Sequence, residues 1–433
     1  MSMKSGRNRH VLDDEHSLDA AAKALPIYSI EQISAYLTKG YWQDANGWGA
    51  RSWTDKSITF DIAALSPERQ VLAEMAFAAW GEISGLDFSK FGGGSGFGDI
   101  EFAMEPAAPT GESTAWETDN AFSGKVISMA QIHIAANFDG DTKINSTAFE
   151  SFMHEIGHAL GLGHAGNYNG TGGGGSHYQN DTRQFSIMSY GAQGSFGGAS
   201  SLDVLTPQMA DIHAIIKKYG AAAVRETDTT YGFNASGLTT ATGFVYDFEN
   251  FGPAQEDGFH GIAPAITIVD TGGKDTLDLS GYFFDQRIDL RGGKFSDAGQ
   301  FKGNVGIYLT SVIENAVGGE GKDYIGGNKV ANSLTGGEGE DTLCALQGND
   351  RLTGGIDADT FVYRAKFDRD TILDFEDGVD KIDLGAFDFS KFGKVFKLAK
   401  EAGDDLVISF GHGDKLVVED FSKAEFTVTD VLI

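Results

Sequence analysis

Apolar residues in the first half of the chain recur at two periods. Leu72, Ala76, Ala79, Trp80 and Ile83 follow helical spacing, with Ser66 and Pro67 ahead of them as N-cap and first-turn residue and Gly85 behind as a stop. That predicts a core-facing helix. Residues 99–104 and 126–135 (VISMAQIHIA) read as strands, and on the second one His133 shares a face with Gln131. His133 is read as a surface histidine rather than a ligand. Thr147 and Glu150 form a capping-box pattern, so a second helix is expected to start there. Thr206-Pro207 opens a third through Ile212, Ile215 and Ile216, ending at Gly220. Folded sequence begins near Ile27.

The pattern changes in the second half. A nine-residue unit repeats from Gly318 to Val362: GGEGKDYIG, GNKVANSLT, GGEGEDTLC, ALQGNDRLT, GGIDADTFV. Its sixth position is Asp323, Asn332, Asp341, Asp350 and Asp359, and its eighth is Ile325, Leu334, Leu343, Leu352 and Phe361. The eighth position faces inward from a short strand. The glycines permit the turn before it, and the aspartate with freed carbonyls offers hard oxygen ligands suited to Ca²⁺. Stacked turns of this kind form a parallel β-roll with ions between successive coils. The second and fourth repeats are degenerate, and Asn332 weakens its site.

Composition narrows the function. The chain has 433 residues, more than one ordinary domain needs, with 33 Lys+Arg against 62 Asp+Glu and a net charge of −29. Phosphate backbones would repel it, which excludes nucleic-acid binding. One cysteine, Cys344, excludes a disulfide scaffold, and no run of about 18 apolar residues predicts a membrane span. The acid is denser in the second half: residues 221–433 hold 19 basic and 37 acidic residues, net −18. Residues 1–24 are polar, with no apolar core of a signal peptide, and read as a disordered or pro-segment. The expected division is then 25–222 and 223–433.

The densest chemistry lies in SFMHEIGHALGLGHAG. His154 and His158 are four apart and share one helix face, so both imidazoles can reach one metal. Gly161 ends the helix and lets the chain bring in His164. Three neutral histidines and an open position fit a catalytic Zn²⁺. Glu155 can take a proton from a metal-bound water and pass it to a leaving amine. The pattern H-E-x-x-H-x-x-G-x-x-H fixes five positions over eleven residues and is far rarer than H-E-x-x-H alone. Two other readings stay open: a calcium-binding adhesion or toxin module with a decayed protease half, which the presence of Glu155 argues against, and a zinc hydrolase of another bond. His177 follows four glycines, Gly172 to Gly175, in a loop expected to be mobile, and is not taken as a ligand.

These residues make the metzincin pattern, and Ser186-Ile187-Met188-Ser189-Tyr190 looks like its Met-turn. The chain from about Ala24 to Ile433 resembles the serralysin family of secreted bacterial zinc proteases. That resemblance implies an α+β metzincin-like catalytic domain followed by an all-β parallel β-roll of RTX repeats and a C-terminal β-sandwich-like region. It makes Tyr190 a displaceable zinc neighbour and helper of the oxyanion, and Met188 an apolar floor. It implies one catalytic zinc and several structural calcium ions. One ion is expected between the Gly319, Gly321, Asp323 turn and the Gly336, Glu338, Asp341 turn. Another joins Gly337, Gly339 and Asp341 to Gly354, Ile356 and Asp359. Asp350 serves in the fourth repeat. Upstream, Arg225, Thr227 and Thr229 pair with Asp270, Gly272 and Asp275, and Gly273 and Asp275 with Val312 and Glu314. Val312 replaces an expected threonine and could serve only by its backbone. Cys344 departs from a family that generally avoids cysteine. The ending Asp430-Val431-Leu432-Ile433 resembles the family's export signal. Expected partners are polypeptide substrates along an edge strand (the one at 126–135), a type I secretion transporter and a proteinaceous inhibitor. The enzyme is expected to be an extracellular monomer.

Overall fold

The structure, a computed structural model, describes residues 25–47, 49–93, 97–105, 117–135, 143–168, 175–239, 241–251 and 263–433. The expected pro-segment and Gly172–Gly174 lie outside them.

The first half is a sheet with helices packed on it. Its strands are β1 (Ser57–Asp61), β2 (Asp87–Lys90), β3 (Ile100–Glu105), β4 (Glu117–Ser123) and β5 (Val126–Ala135), in the order β2-β1-β3-β5-β4. All neighbours are parallel except the β4–β5 hairpin. The helices are α1 (Ile30–Ala35), α2 (Tyr41–Asn46), α3 (Pro67–Ile83), α4 (Thr147–Ala159) and α5 (Met209–Tyr219). Ser66 caps α3, and Leu72, Ala76, Ala79, Trp80 and Ile83 are buried as their spacing requires. Phe77 of α3 stacks on Phe60 of β1 at 4.1 Å, and Phe102 of β3 meets Phe152 of α4 at 5.6 Å. Both helices therefore share one apolar layer over the sheet. Aromatic pairs of this kind add to the stabilisation that comes from their buried area.

Three expectations need correction. The N-cap of α4 is Ser146, whose hydroxyl accepts from Phe149 N; Glu150 lies one position past the capping-box site and instead forms an ion pair with Arg183 at 2.8 Å. Helix α5 begins at Met209, where Gln208 and Asp211 form the reciprocal cap, because Pro207 sits before the helix rather than in its first turn. Strand β5 is not an edge. Its apolar alternation belongs to a strand covered on both sides, and the polar segment ETDNAFS of β4 takes the edge. His133 on β5 is half-buried.

The second half is a two-sheet roll. After a three-stranded sheet at 266–268, 295–296 and 305–307, the strands from 315 to 383 alternate between a nine-stranded and a six-stranded sheet. Asn315 pairs with Ser333 and Ser333 with Arg351, so one coil takes 18 residues, two nonapeptides. The other sheet repeats the stride through Tyr324, Thr342 and Thr360. Ile325, Leu334, Leu343, Leu352 and Phe361 are all buried between the sheets. Antiparallel strands at 399–418 and the last strand, Val431–Leu432, extend the two sheets to a sandwich-like end. Cys344 is buried in a strand of the roll. No helix among the described residues is long and apolar enough to cross a membrane. The halves are tied by Arg225, whose guanidinium is 2.7 Å from Glu82 of α3 and lies over the Tyr246 ring.

Candidate metal centre

Helix α4 presents His154 and His158 one turn apart. It stops at Leu160, and Gly161 takes a φ of +81°, which turns the chain back. Gly163 N donates to Leu37 O at 2.7 Å, and a side chain at Gly163 would run into the Tyr41 ring. That anchors the loop carrying His164. The carbonyls at the end of α4 are satisfied one by one. Asn120 Nδ2 donates to His158 O at 2.8 Å, Trp53 Nε1 to Ala159 O at 2.9 Å, and Tyr219 OH to Leu160 O at 2.8 Å. Lys218 Nζ reaches Gly161 O at 3.3 Å. A cation there also suits the negative end of the helix dipole, although burial pulls Lys218 down to about 8.

Donor atoms of His154, His158 and His164 all lie within 4.8 Å of one another. His154 Nδ1 is 2.8 Å from Ile187 O, and His158 Nδ1 is 2.9 Å from Leu162 O. A carbonyl only accepts, so each Nδ1 carries the hydrogen and each Nε2 keeps its lone pair. Burial lowers His154 to about 3 and His158 to about 4, and depresses His164 too. All three are neutral at pH 7. His158 Nε2 and His164 Nε2 face each other at 3.0 Å. Lone pairs so close and so oriented fit a shared cation, and three imidazole donors suit zinc. Glu155, next to His154 on α4, is buried.

The Met-turn lies beneath. Met188 is fully buried, and a side chain at Gly157 would collide with its sulfur. Asp211 holds the turn, accepting from Ser186 Oγ at 2.6 Å, Ile187 N at 2.7 Å and Gln208 N at 2.9 Å. Burial raises Asp211 to about 7 against the pull of those hydrogen bonds. Asp211 was missed in the sequence, although its place three residues after Gln208 is a cap spacing. Tyr190 is 44% exposed, with its ring 4.6 Å from those of His164 and Tyr168. Tyr190 N donates to Tyr168 OH, which donates to Asp181. His177 is outside the cluster, 3.7 Å from Asp44.

The roll turns stack as their spacing predicts. Asp323 N donates to Asp341 Oδ1 at 2.8 Å, and Asp341 N to Asp359 Oδ1 at 2.9 Å. The second oxygens of Asp275, Asp341, Asp350, Asp359 and Asp370 are buried and lack any hydrogen-bond partner. Burial pushes Asp341 up to about 8, and Asp275 and Asp359 to about 7. An ionised carboxylate with a buried, unpartnered oxygen is costly, and a bound cation removes that cost. These turns therefore fit Ca²⁺. Asp323 differs, since Gln286 N and Gly319 N already serve both its oxygens. Upstream, Thr229 N donates to Asp275 Oδ1 and Asp275 N to Glu314 Oε2, so Thr229, Asp275 and Glu314 do converge. Asp270 accepts from Gly272 N and Tyr231 OH. The Arg225 side chain is committed to Glu82 and Val269 O, leaving only its carbonyl for an ion. The Val312 side chain is 41% exposed and faces a groove. Asp370 was missed because it follows Asp350 by 20 residues, out of phase with the repeat.

Two family models match the chain: Matrixin over residues 52–170, and Peptidase M10 serralysin C terminal over residues 221–422. The metalloprotease AprA of Pseudomonas entomophila is 35% identical, with 94% of this chain and 89% of that protein covered. Serralysin of Photorhabdus laumondii is 37% identical, covering 84% of this chain and 76% of its own. Serralysin A of Dickeya chrysanthemi is 37% identical, covering 83% and 78%. With this similarity along both halves and the histidine cluster at the end of α4, the chain belongs to the serralysin family of zinc metalloendopeptidases.

Proposed function

We propose that the enzyme is an extracellular endopeptidase of extended polypeptides, with zinc held by His154, His158 and His164 and a roll stabilised by calcium. The observation that carries this reading is the inward convergence of three neutral imidazoles, two of them locked by backbone carbonyls. Bound zinc supplies a Lewis acid for the scissile carbonyl and lowers the pKa of a bound water to about 7. Glu155 accepts the water's proton and returns it to the leaving amine. Tyr190, exposed beside His164, swings to admit substrate and donates its hydroxyl hydrogen to the developing oxyanion. Among the described residues strand β4 is one of the two outer strands of the sheet, and its Asn120 contacts the end of α4. A substrate strand added there runs beside the histidines.

Calcium ligands come from the turns at Gly319, Gly321, Asp323; Gly336, Glu338, Asp341; and Gly354, Ile356, Asp359, with Gly337, Gly339 and Asp350. The upstream set is Thr227, Thr229, Asp270, Gly272, Gly273, Asp275 and Glu314, with backbone oxygens of Arg225 and Val312. Export runs through a type I transporter that reads the tail before it folds, since Asp430 is fully buried and Val431 pairs with Ile382 in the finished sheet.

The deciding experiment is Glu155→Ala. It should keep stoichiometric zinc by elemental analysis and lose proteolysis of casein by about a hundredfold or more. Cleavage near the wild-type rate would sink the mechanism.

A further inference from the structure

The two edges of the roll have diverged. On one, the turns at 318–323, 336–341 and 354–359 keep the glycine–aspartate pattern. On the other, the turn at 327–332 has replaced its acid, and the amide does the bridging. Asn332 Nδ2 donates to Glu314 O at 3.0 Å and to Asn328 Oδ1 at 3.2 Å. Asn328 Nδ2 donates to Ile313 O at 2.8 Å and Leu290 O at 3.2 Å. Carbonyls that an ion would gather are here satisfied by protein N–H groups, so this turn is complete without a cation.

What that turn presents outward is a groove of about 600 Å³. Lys294, Lys329 and Lys366 line it, and among the described residues none of them has an ion-pair partner. Arg291 also lines it but is neutralised by Asp289 at 2.6 Å. Among the described residues no carboxylate lines the groove. The surrounding half of the chain carries net −18, so three unpaired lysines gathered here stand against its overall charge. Between them lie Leu309, Val312, Val330, Leu346 and Phe367. Val312 and Val330 are 41% and 38% exposed, unlike the inward-facing residues of the repeat.

We propose that this groove binds an amphipathic organic anion, a free alkyl carboxylate, with its headgroup among Lys294, Lys329 and Lys366 and its chain along Val312, Val330, Leu346 and Phe367. Charge complementarity selects the sign, and the apolar floor selects the body. The volume suits a small molecule. A peptide strand is disfavoured because every lining residue lies in a turn or loop between strands, so the groove itself presents no strand edge. The proposal is independent of the zinc centre.

The test uses the full chain in saturating calcium, titrated with octanoate and with 1-octanol by calorimetry, with methyl NMR to locate the contact. Octanoate should bind once per chain, shift Val312, Val330 and Leu346, and weaken as salt rises. The uncharged alcohol should bind about tenfold or more weakly. Lys329→Glu with Lys366→Glu should reduce octanoate affinity by about tenfold or more. Because both lysines are exposed, melting in calcium should stay unchanged. If that double variant melts lower, Lys329→Gln with Lys366→Gln takes its place and should still weaken binding. Equal affinity for acid and alcohol, binding indifferent to both double variants, shifts elsewhere on the chain, or no binding of octanoate would each overturn the proposal.

Discussion

The histidine centre and the aspartate turns of the roll handle buried polar ligands in different ways. Around the histidines the protein completes most of its own hydrogen bonds, with His164 Nδ1 and Asn120 Oδ1 as exceptions. Ile187 O and Leu162 O orient two rings, four separate side chains cap the end of α4, and Asp211 holds the turn beneath. In the roll, five aspartates are left with a buried oxygen that no donor reaches. One half is organised before its metal arrives. The other contains buried carboxylate oxygens that a cation would neutralise. The lesson concerns where binding energy goes: into chemistry where the scaffold is already satisfied, and into folding where it is not.

Metal removal tests this contrast most strongly. Stripping zinc should abolish proteolysis while far-UV circular dichroism keeps its β and helical bands. Stripping calcium should instead weaken the roll, so that its β signal is lost at a much lower temperature. Equal loss of structure in both treatments would end the distinction.

Acidity gives a subtler test in calcium-free buffer. Asp341, Asp275 and Asp359 have folded pKa values raised by burial above the ordinary carboxylate range. The folded roll therefore binds more protons than the unfolded chain. Its stability is fully present below about pH 4 and is lost as pH rises toward about 8, the value for Asp341. Without calcium, the roll should melt higher at pH 5 than at pH 8, and calcium should remove that dependence. A melting temperature that climbs with pH under chelation would contradict the carboxylate account.

The smallest expected effect sharpens the contrast within the roll. Asn332→Asp removes the amide hydrogens that serve Glu314 O and Asn328 Oδ1. It should cost roughly 1–3 kcal/mol in chelator, and added calcium should recover most of it. Urea titrations with and without calcium read both values.

Much of this was legible because it is local. The H-E-x-x-H-x-x-G-x-x-H spacing depends only on helix geometry and one glycine. The nonapeptide depends only on a repeated turn. What stayed hidden depends on distant pairing. Strand β5 looks like an edge in sequence because nothing in ETDNAFS announces the strand that covers it. Asp211 reaches the Met-turn across more than 20 residues. The α4 caps come from Trp53, Asn120 and the adjacent Lys218 and Tyr219, three places that only the tertiary fold gathers. Ser146 displaced Thr147 as the cap because boundaries shift by a residue when two hydroxyls compete.

The 18-residue coil sets a unit of length for the repeats between Asn315 and Val362. Gain or loss of one complete coil preserves which residue sits on which sheet. Gain or loss of a single nonapeptide exchanges the sheets for everything downstream. It would also move the turns bearing Lys329 and Lys366 onto the edge of Asp323, Asp341 and Asp359. The roll can thus lengthen or shorten only in pairs of repeats, and the separate identities of its two edges are protected by parity.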